Sequence, residues 1–205
     1  NQGTSEGGEI KEPRPVKRAL LSVTDKSGLV DFASFLVKGG VELVSTGGTH
    51  KTLQEAGLPV VQVSTVTGFP EIMGGRVKTL HPSIHGGILA DKDNPEHLQT
   101  LTGLGIRTFD LICVNLYDFA EAAQKKLDLR SAIEEIDIGG PCMLRAAAKN
   151  FHSVLVAPSP AAYARIRAAL EENDMQAPLE LRQEFAAATF AATSAYDRMI
   201  ADYLG

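Results

Sequence analysis

Ala-Leu-Leu-Ser-Val-Thr-Asp-Lys-Ser-Gly (residues 19–28), Leu-Val-Asp-Phe-Ala-Ser-Phe-Leu-Val-Lys-Gly-Gly (29–40) and Val-Glu-Leu-Val-Ser-Thr-Gly-Gly-Thr (41–49) run in succession and decide the fold. Residues 19–23 and 41–45 are short, almost wholly apolar runs, as expected of parallel strands buried on both faces. Between them Leu29, Ala33, Leu36 and Val37 recur at helical spacing, and Gly39-Gly40 stops the helix. Strand, helix and strand make one βαβ unit. Three further runs extend it, at residues 60–63, 111–115 and 154–157, and residues 49–56 read as a second helix ending at Gly57. The alternation predicts an α/β protein: a parallel-sheet, three-layer sandwich with helices on both faces, whose ligands bind at the carboxyl ends of the strands. The last third is helical in pattern, over 161–172 and then about 179–204. The second of these helices is long and Ala-rich, suited to packing on the sheet or on a partner subunit. Residues 1–16, rich in Gly, Glu, Ser and Pro, read as a disordered tail, with order from near Lys17. The first residue is Asn1 rather than Met, which reads as a processed or truncated chain.

Composition narrows the function classes. The chain has 205 residues, 44% of them apolar and 22% charged, with a net charge of −5, ordinary values for a globular protein. No Lys/Arg run exceeds Lys125-Lys126, which argues against a basic nucleic-acid surface. An anionic ligand must then be held by a local cluster of cations and backbone N–H groups against the overall field. The two cysteines, Cys113 and Cys142, lack metal-ligand spacing and read as reduced, mostly buried thiols of a cytosolic protein. No apolar run approaches the 18 residues of a membrane span, and no signal peptide is recognisable.

Chemistry concentrates at the strand ends. Ser22-Val23-Thr24-Asp25-Lys26-Ser27-Gly28 ends the first strand; small hydroxyls, a lysine and a glycine at a strand-to-helix junction suit an anion cradle, or a simple helix cap. Ser45-Thr46-Gly47-Gly48-Thr49 repeats the pattern after the second strand. Two such loops side by side favour phosphate, although neither the P-loop spacing nor the dinucleotide fingerprint is present. In Gly74-Gly75-Arg76-Val77-Lys78-Thr79-Leu80-His81-Pro82, an extended backbone puts Arg76 and Lys78 on one side; a solvated basic loop is the alternative. His81 and His85 lack the neighbouring ligands that a metal would need. Asn115-Leu116-Tyr117 closes the fourth strand with an amide and a phenol. Finally, Asp137-Ile-Gly-Gly-Pro-Cys-Met-Leu-Arg-Ala-Ala-Ala-Lys-Asn150 sets a carboxylate before a Gly139-Gly140 break. Pro141 then opens a short helix with Arg145 and Lys149 on one face. Like charges at that spacing cost an isolated helix about 0.2–0.5 kcal/mol, so the segment reads as an acid–base site facing an anion.

Taken in order, these strings resemble the inosine monophosphate cyclohydrolase domain of the bifunctional purine-biosynthesis family, over about residues 17–204. Thr-Gly-Phe-Pro-Glu-Ile-Met ahead of Gly74 and Thr-Ser-Ala-Tyr-Asp at 193–197 belong to the same pattern. The resemblance implies a methylglyoxal-synthase-like fold and a homodimer without metal or cofactor. It implies closure of 5-formamidoimidazole-4-carboxamide ribotide to inosine monophosphate with loss of water. By the same resemblance Lys149 transfers protons, Asp137 orients the carboxamide, and Lys78 and Tyr117 stabilise the formyl oxygen. The phosphate is expected among Thr24, Lys26, Thr46, Gly47, Gly48 and Thr49, assisted by Arg76 and Thr79. Asn115, Leu116 and Ile138 are expected along base and ribose, and Asp25, Val77 and Gly139 complete the nucleotide-binding set. Family members continue into a folate-dependent formyltransferase domain, which this chain, ending at Gly205, is expected to lack. Asp118 stands where the family usually has proline. Three rivals remain: a regulatory nucleotide-binding domain of the same fold, a methylglyoxal synthase and a dimerisation module. The combination of Asp137, Lys149, Lys78 and Tyr117 favours the enzyme.

Overall fold

The computed structural model describes residues 10, 12–117, 119–125 and 127–205. The expected tail over 1–16 therefore lies largely outside the described residues, as does Asp118. Five strands correspond to the five apolar runs: β2 (Arg18–Ser22), β3 (Glu42–Ser45), β4 (Val61–Gln62), β5 (Leu111–Val114) and β6 (Leu155–Ala157). They form one parallel sheet in the order β4-β3-β2-β5-β6. Every residue of β5 and β6 is buried, so each apolar side chain there contributes about 1.5–3 kcal/mol of transfer free energy.

Ten α-helices surround the sheet among the described residues. On one side α1 (Leu29–Lys38) neighbours α2 (Gly47–Glu55) and α9 (Tyr163–Glu172). On the other, α8 (Gly139–Lys149) packs between α4 (Pro82–Leu89) and the long α10 (Leu179–Leu204). From β2 the chain winds out through β3 to β4, then crosses back to β5 and β6. Strand order thus reverses between β2 and β5, and this reversal opens a crevice at their carboxyl ends. The short helices α3 (Val63–Thr67), α5 (Pro95–Gly103), α6 (Phe119–Gln124) and α7 (Leu129–Glu134) occupy connections where no helix was expected.

Three boundaries differ from the sequence reading. Helix α2 begins at Gly47 rather than Thr49, and α8 at Gly139 rather than Pro141. First-turn N–H groups need no intrahelical acceptor, so glycines and a proline sit there without losing a hydrogen bond. For α8 the Asp137 carboxylate supplies an acceptor, taking the Gly140 N–H at 3.1 Å. The third difference lies at the amino end. Arg14–Pro15 form a strand, β1, antiparallel to β7 (Gln176–Ala177), and Val16 is buried. Order thus extends upstream of Lys17, held by the Arg14–Asp93 ion pair at 2.6 Å.

The end of the sheet opposite the crevice is fastened by buried charge. Asp110 accepts the Lys17 and Arg18 N–H groups at 2.8 and 2.9 Å and pairs with Lys92 at 2.5 Å. Arg182, fully buried on α10, donates to the carbonyls of Ala177, Phe151 and His152. At the crevice end a second small core gathers Phe119 and Tyr196 with Leu116, Tyr117, Ile136 and Met199. Both cysteines are free, Cys113 buried and Cys142 partly so. Burial pushes the Cys113 thiol up to about 12.

Two adjacent glycines of α4 test this packing. A Cβ on Gly87 would lie 2.6 Å from the Arg107 carbonyl oxygen, whereas one on Gly86 meets nothing nearer than a Leu101 methyl at 3.4 Å. Gly87→Ala is expected to destabilise by about 1–3 kcal/mol. Gly86→Ala should be neutral or stabilising by up to about 1 kcal/mol through the lower entropy of alanine in the unfolded chain. Thermal melts of the two variants check this, with Tm falling only for Gly87→Ala.

Candidate active site

The crevice holds a cavity of about 840 Å³, within the range of small-molecule sites. Its floor is tied together before any ligand arrives. Asn115, at the end of β5, accepts from the Thr24 N–H, the Thr24 hydroxyl and the Asp25 N–H at 2.8, 3.0 and 3.0 Å. Its amide nitrogen donates to the Asp25 carbonyl at 2.8 Å. Thr49 bonds in both directions to the Val23 backbone, 3.0 Å to N and 3.2 Å to O. The Thr46 hydroxyl lies 2.6 Å from that of Ser22. The buried hydroxyls of Thr46 and Thr49 therefore lock α2 onto the end of β2.

This leaves the backbone of α2 for an anion. The Gly47, Gly48 and Thr49 N–H groups occupy the first turn, where a helix has no acceptors of its own. Gly47 has φ +37°, a value side chains disfavour. Two ammonium groups converge there. A Cβ on Gly48 would lie 3.7 Å from Lys26 Nζ, and one on Gly47 3.9 Å from Lys78 Nζ. Helix N-terminus and two lysines form a cradle of phosphate size and charge.

The facing wall is acidic. Glu134 and Glu135, from the end of α7 and its C-cap, join Asp137 along the cavity. Asp137 is held at two atoms: its carboxylate accepts from the Gly140 N–H, and its own N–H donates to the Tyr196 hydroxyl at 2.7 Å. Gly140 has no room for a Cβ against the Asp137 carboxylate, and on Gly139 a Cβ would come within 2.6 Å of Thr79 Oγ1. Across the mouth, Arg76 forms a two-pronged ion pair with Glu134, which holds the guanidinium above its ordinary pKa. A short 3₁₀ turn, Met73–Gly75, and the Ile72–Val77 bridge position Arg76.

Most of the expected residues meet in this cavity. Thr24, Lys26, Thr46, Gly48, Thr49, Arg76, Lys78, Thr79, Asn115, Tyr117, Asp137, Ile138 and Gly139 line it. Gly47 belongs to the same helix turn, and Leu116 packs against the core beneath Tyr117. Asp25 turns away: its carboxylate accepts from the Ser27 N–H and hydroxyl at 3.0 and 2.6 Å. Val77 serves through its backbone bridge to Ile72 rather than by lining the cavity. Lys149 does not line the cavity. It sits exposed at the carboxyl end of α8, while Asp137 and Gly139 are at the amino end. Six residue rises, about 9 Å along the axis, separate Lys149 from Met143, the α8 residue nearest to it that lines the cavity. Arg145 shares that exposure. The helical spacing puts the two cations on one exposed face, and neither lines the cavity. His81 is a helix cap, its Nδ1 accepting from the Ser83 N–H at 3.0 Å.

Sequence reasoning missed Glu134 and Glu135, and gave Tyr196 no role beyond its place in the family resemblance. The run Glu134-Glu135 just ahead of Asp137 was the available signal for the acidic wall; the pairing of Glu134 with Arg76, 58 positions away, had none.

Comparison with known proteins identifies the family. The MGS-like domain model matches residues 28–142, and the AICARFT/IMPCHase bienzyme model matches residues 147–205. The bifunctional purine biosynthesis protein PurH of Lacticaseibacillus casei is 54% identical over 190 residues, which cover 92% of this chain and 37% of that protein. The PurH proteins of Chelativorans sp. and Brucella ovis are 52% and 51% identical, each over 92% of this chain and 35% of their own length. The chain thus spans about a third of the length of the curated relatives it matches. Among solved structures, the crystal structure of ForH superposes with a TM-score of 0.80 at 34% identity, covering 93% of this chain and 100% of that one.

The cradle and the ion pair across the mouth make opposite predictions for an anion. Lys26→Ala removes one of two ammonium groups and should weaken ribose 5-phosphate binding about tenfold. Glu134→Gln frees Arg76 and should tighten it about two- to fivefold, as befits an exposed pair. Calorimetric titration of both variants tests the assignment; unchanged affinity in Lys26→Ala overturns it.

Proposed function

The chain belongs to the MGS-like domain family, and from that premise we propose that it is an inosine monophosphate cyclohydrolase. It would close 5-formamidoimidazole-4-carboxamide ribotide to inosine monophosphate in purine biosynthesis. The carrying observation is one cavity with a phosphate cradle at Gly47, Gly48, Lys26 and Lys78 and a fixed carboxylate, Asp137, on the facing wall. Its setting is a chain about half identical to bifunctional purine biosynthesis proteins over 92% of its length.

In this reading the ribotide phosphate caps the first turn of α2 and the heterocycle lies between Asn115, Ile138 and Gly139. The carboxamide nitrogen attacks the formyl carbon, a C–N bond forms, and the formyl oxygen becomes a tetrahedral hydroxyl. That oxygen then leaves as water with one proton from each of the two nitrogens. Nucleophile and electrophile are both weak, but they belong to one molecule, so holding them in register supplies much of the rate. Asp137 accepts an N–H of the carboxamide and sets its plane. Tyr117 faces the developing oxyanion, and Lys78, from the edge of the phosphate cradle, adds positive charge to the same side. No step calls for a metal, a redox group or folate. The site of action is the cytoplasm.

The proposal includes a homodimer. Ala187, Phe190, Ala191, Ser194 and Ala195 form an exposed stripe on α10, a surface of the kind that pairs helices. Lys149, exposed and not lining the cavity of its own chain, is assigned to proton transfer in the cavity of the second copy. Phosphate positioning and carboxamide orientation remain within one chain.

Two measurements test these statements. Ultraviolet absorbance should report conversion of the formamido ribotide by the purified chain, with kcat lowered at least about a hundredfold in Asp137→Asn. Ribotide that binds without converting would sink the assignment. Mixing Lys149→Ala with Asp137→Asn chains under subunit exchange should restore about a quarter of wild-type activity, since each mixed dimer has one intact site. Absence of recovery would return Lys149 to a role outside the reaction.

A further inference from the structure

Asp137 is held in place by a residue 59 positions away. Tyr196 lies in the second half of α10, and its side chain is almost wholly buried, at 2% exposure. Its hydroxyl oxygen accepts the Asp137 N–H at 2.7 Å. That N–H precedes the first turn of α8, outside the helical ladder. A tyrosine that only fills a core needs some buried partner for its hydroxyl. Here the partner is the backbone of the residue whose carboxylate faces the cavity.

Neighbouring contacts make this bond a matter of orientation. The ring of Tyr196 sits in the small core with Ile136, which immediately precedes Asp137, and with Tyr117. Tyr117 and the residue that precedes Asp137 thus rest on one cluster. From the other side the Asp137 carboxylate takes the Gly140 N–H. Asp137 therefore has its backbone pinned from α10 and its carboxylate pinned from α8. Burial, with Asp137, Asp197 and Glu135 nearby, keeps the Tyr196 phenol above its ordinary pKa and hence protonated.

We propose that Tyr196 is a positioning residue for ring closure: it fixes the Asp137 backbone so that the carboxylate meets the carboxamide in the reactive orientation. The proposal rests on the cyclohydrolase reading for its kinetic consequence, but not for the contact itself. It places the distal half of α10 in the machinery of the site. The phosphate cradle, built on β2, β3 and α2, lies outside its influence.

Tyr196→Phe keeps the ring and the packing and removes only the acceptor. In this variant kcat for the ribotide should fall about tenfold, as expected for a small misorientation, with KM within about twofold because the cradle is untouched. In an Asp137→Asn background the same change should have no further effect on kcat, as befits two groups acting as one unit. Hydrogen exchange of ligand-free protein supplies a readout independent of activity: the Asp137 amide should exchange faster in Tyr196→Phe, while amides of β5 and β6 keep wild-type rates. Wild-type kcat, a loss additive with Asp137→Asn, or unchanged exchange at Asp137 would each overturn the proposal. An inactive wild-type chain whose Asp137 amide is still released by Tyr196→Phe would instead reject the cyclohydrolase reading and leave the positioning contact standing.

Discussion

The side-chain amide of Asn115 spans the gap between β5 and the loop after β2, and the site depends on that tie. At this point the winding of the sheet reverses and the two loops diverge, which leaves backbone groups without sheet partners. One carboxamide takes up three donors and one carbonyl from Thr24 and Asp25. Leaving those groups unpaired in a half-buried crevice would cost about 1–3 kcal/mol each. The same bonds set the Lys26 loop beside α2, and the Thr49–Val23 bonds fix α2 from the other side. The anion cradle is thus the exposed remainder of a network whose hydroxyls and amide are already occupied.

Charge is divided across the cavity despite a net charge of −5. Lys26 and Lys78 stand at the helix N-terminus, while Glu134, Glu135 and Asp137 stand opposite. A ribotide has the complementary division, an anionic phosphate at one end and a neutral amide pair with N–H groups at the other. Binding in the reverse sense would press phosphate against three carboxylates. Arg76, paired with Glu134 across the mouth, lies at the boundary between the two halves. Its Nε and Nη2 are engaged by that carboxylate, and Nη1 is not part of the pair.

Much of this was legible in the chain because parallel strands buried on both faces leave unmistakable apolar runs. All five runs became strands of one sheet, and the 179–204 helix was read to its residues. Glycines next to hydroxyls marked the loops correctly, but their roles were partly exchanged: Thr46 and Thr49 are structural, and the glycines present the N–H groups. Errors arose where local pattern lacks a direction in space. Gly139-Gly140 looks like a break, yet the Asp137 carboxylate makes it a helix start. Arg145 and Lys149 share a face, but periodicity does not say which way that face looks. Arg14–Pro15 is too short a strand to register, and depends on Gln176–Ala177 for its partner. The short helices α3, α6 and α7, of five or six residues, are too short for an apolar stripe.

The most strongly shifted ionisable groups lie elsewhere. Cys113, Tyr163 and Arg182 are displaced chiefly by burial, and none lines the cavity. Perturbed groups often mark active sites, but here they mark the core and its fastenings. In an intramolecular ring closure the reacting atoms already share one molecule, and what remains is to choose rotamers and exclude others. The structure spends its constraints accordingly: an amide on the Thr24 loop, a hydroxyl on Val23, a phenol on the Asp137 backbone, and glycines where a single Cβ would intrude. Each fixes a position, and together they hold a phosphate cradle and a carboxylate on opposite walls of one cavity.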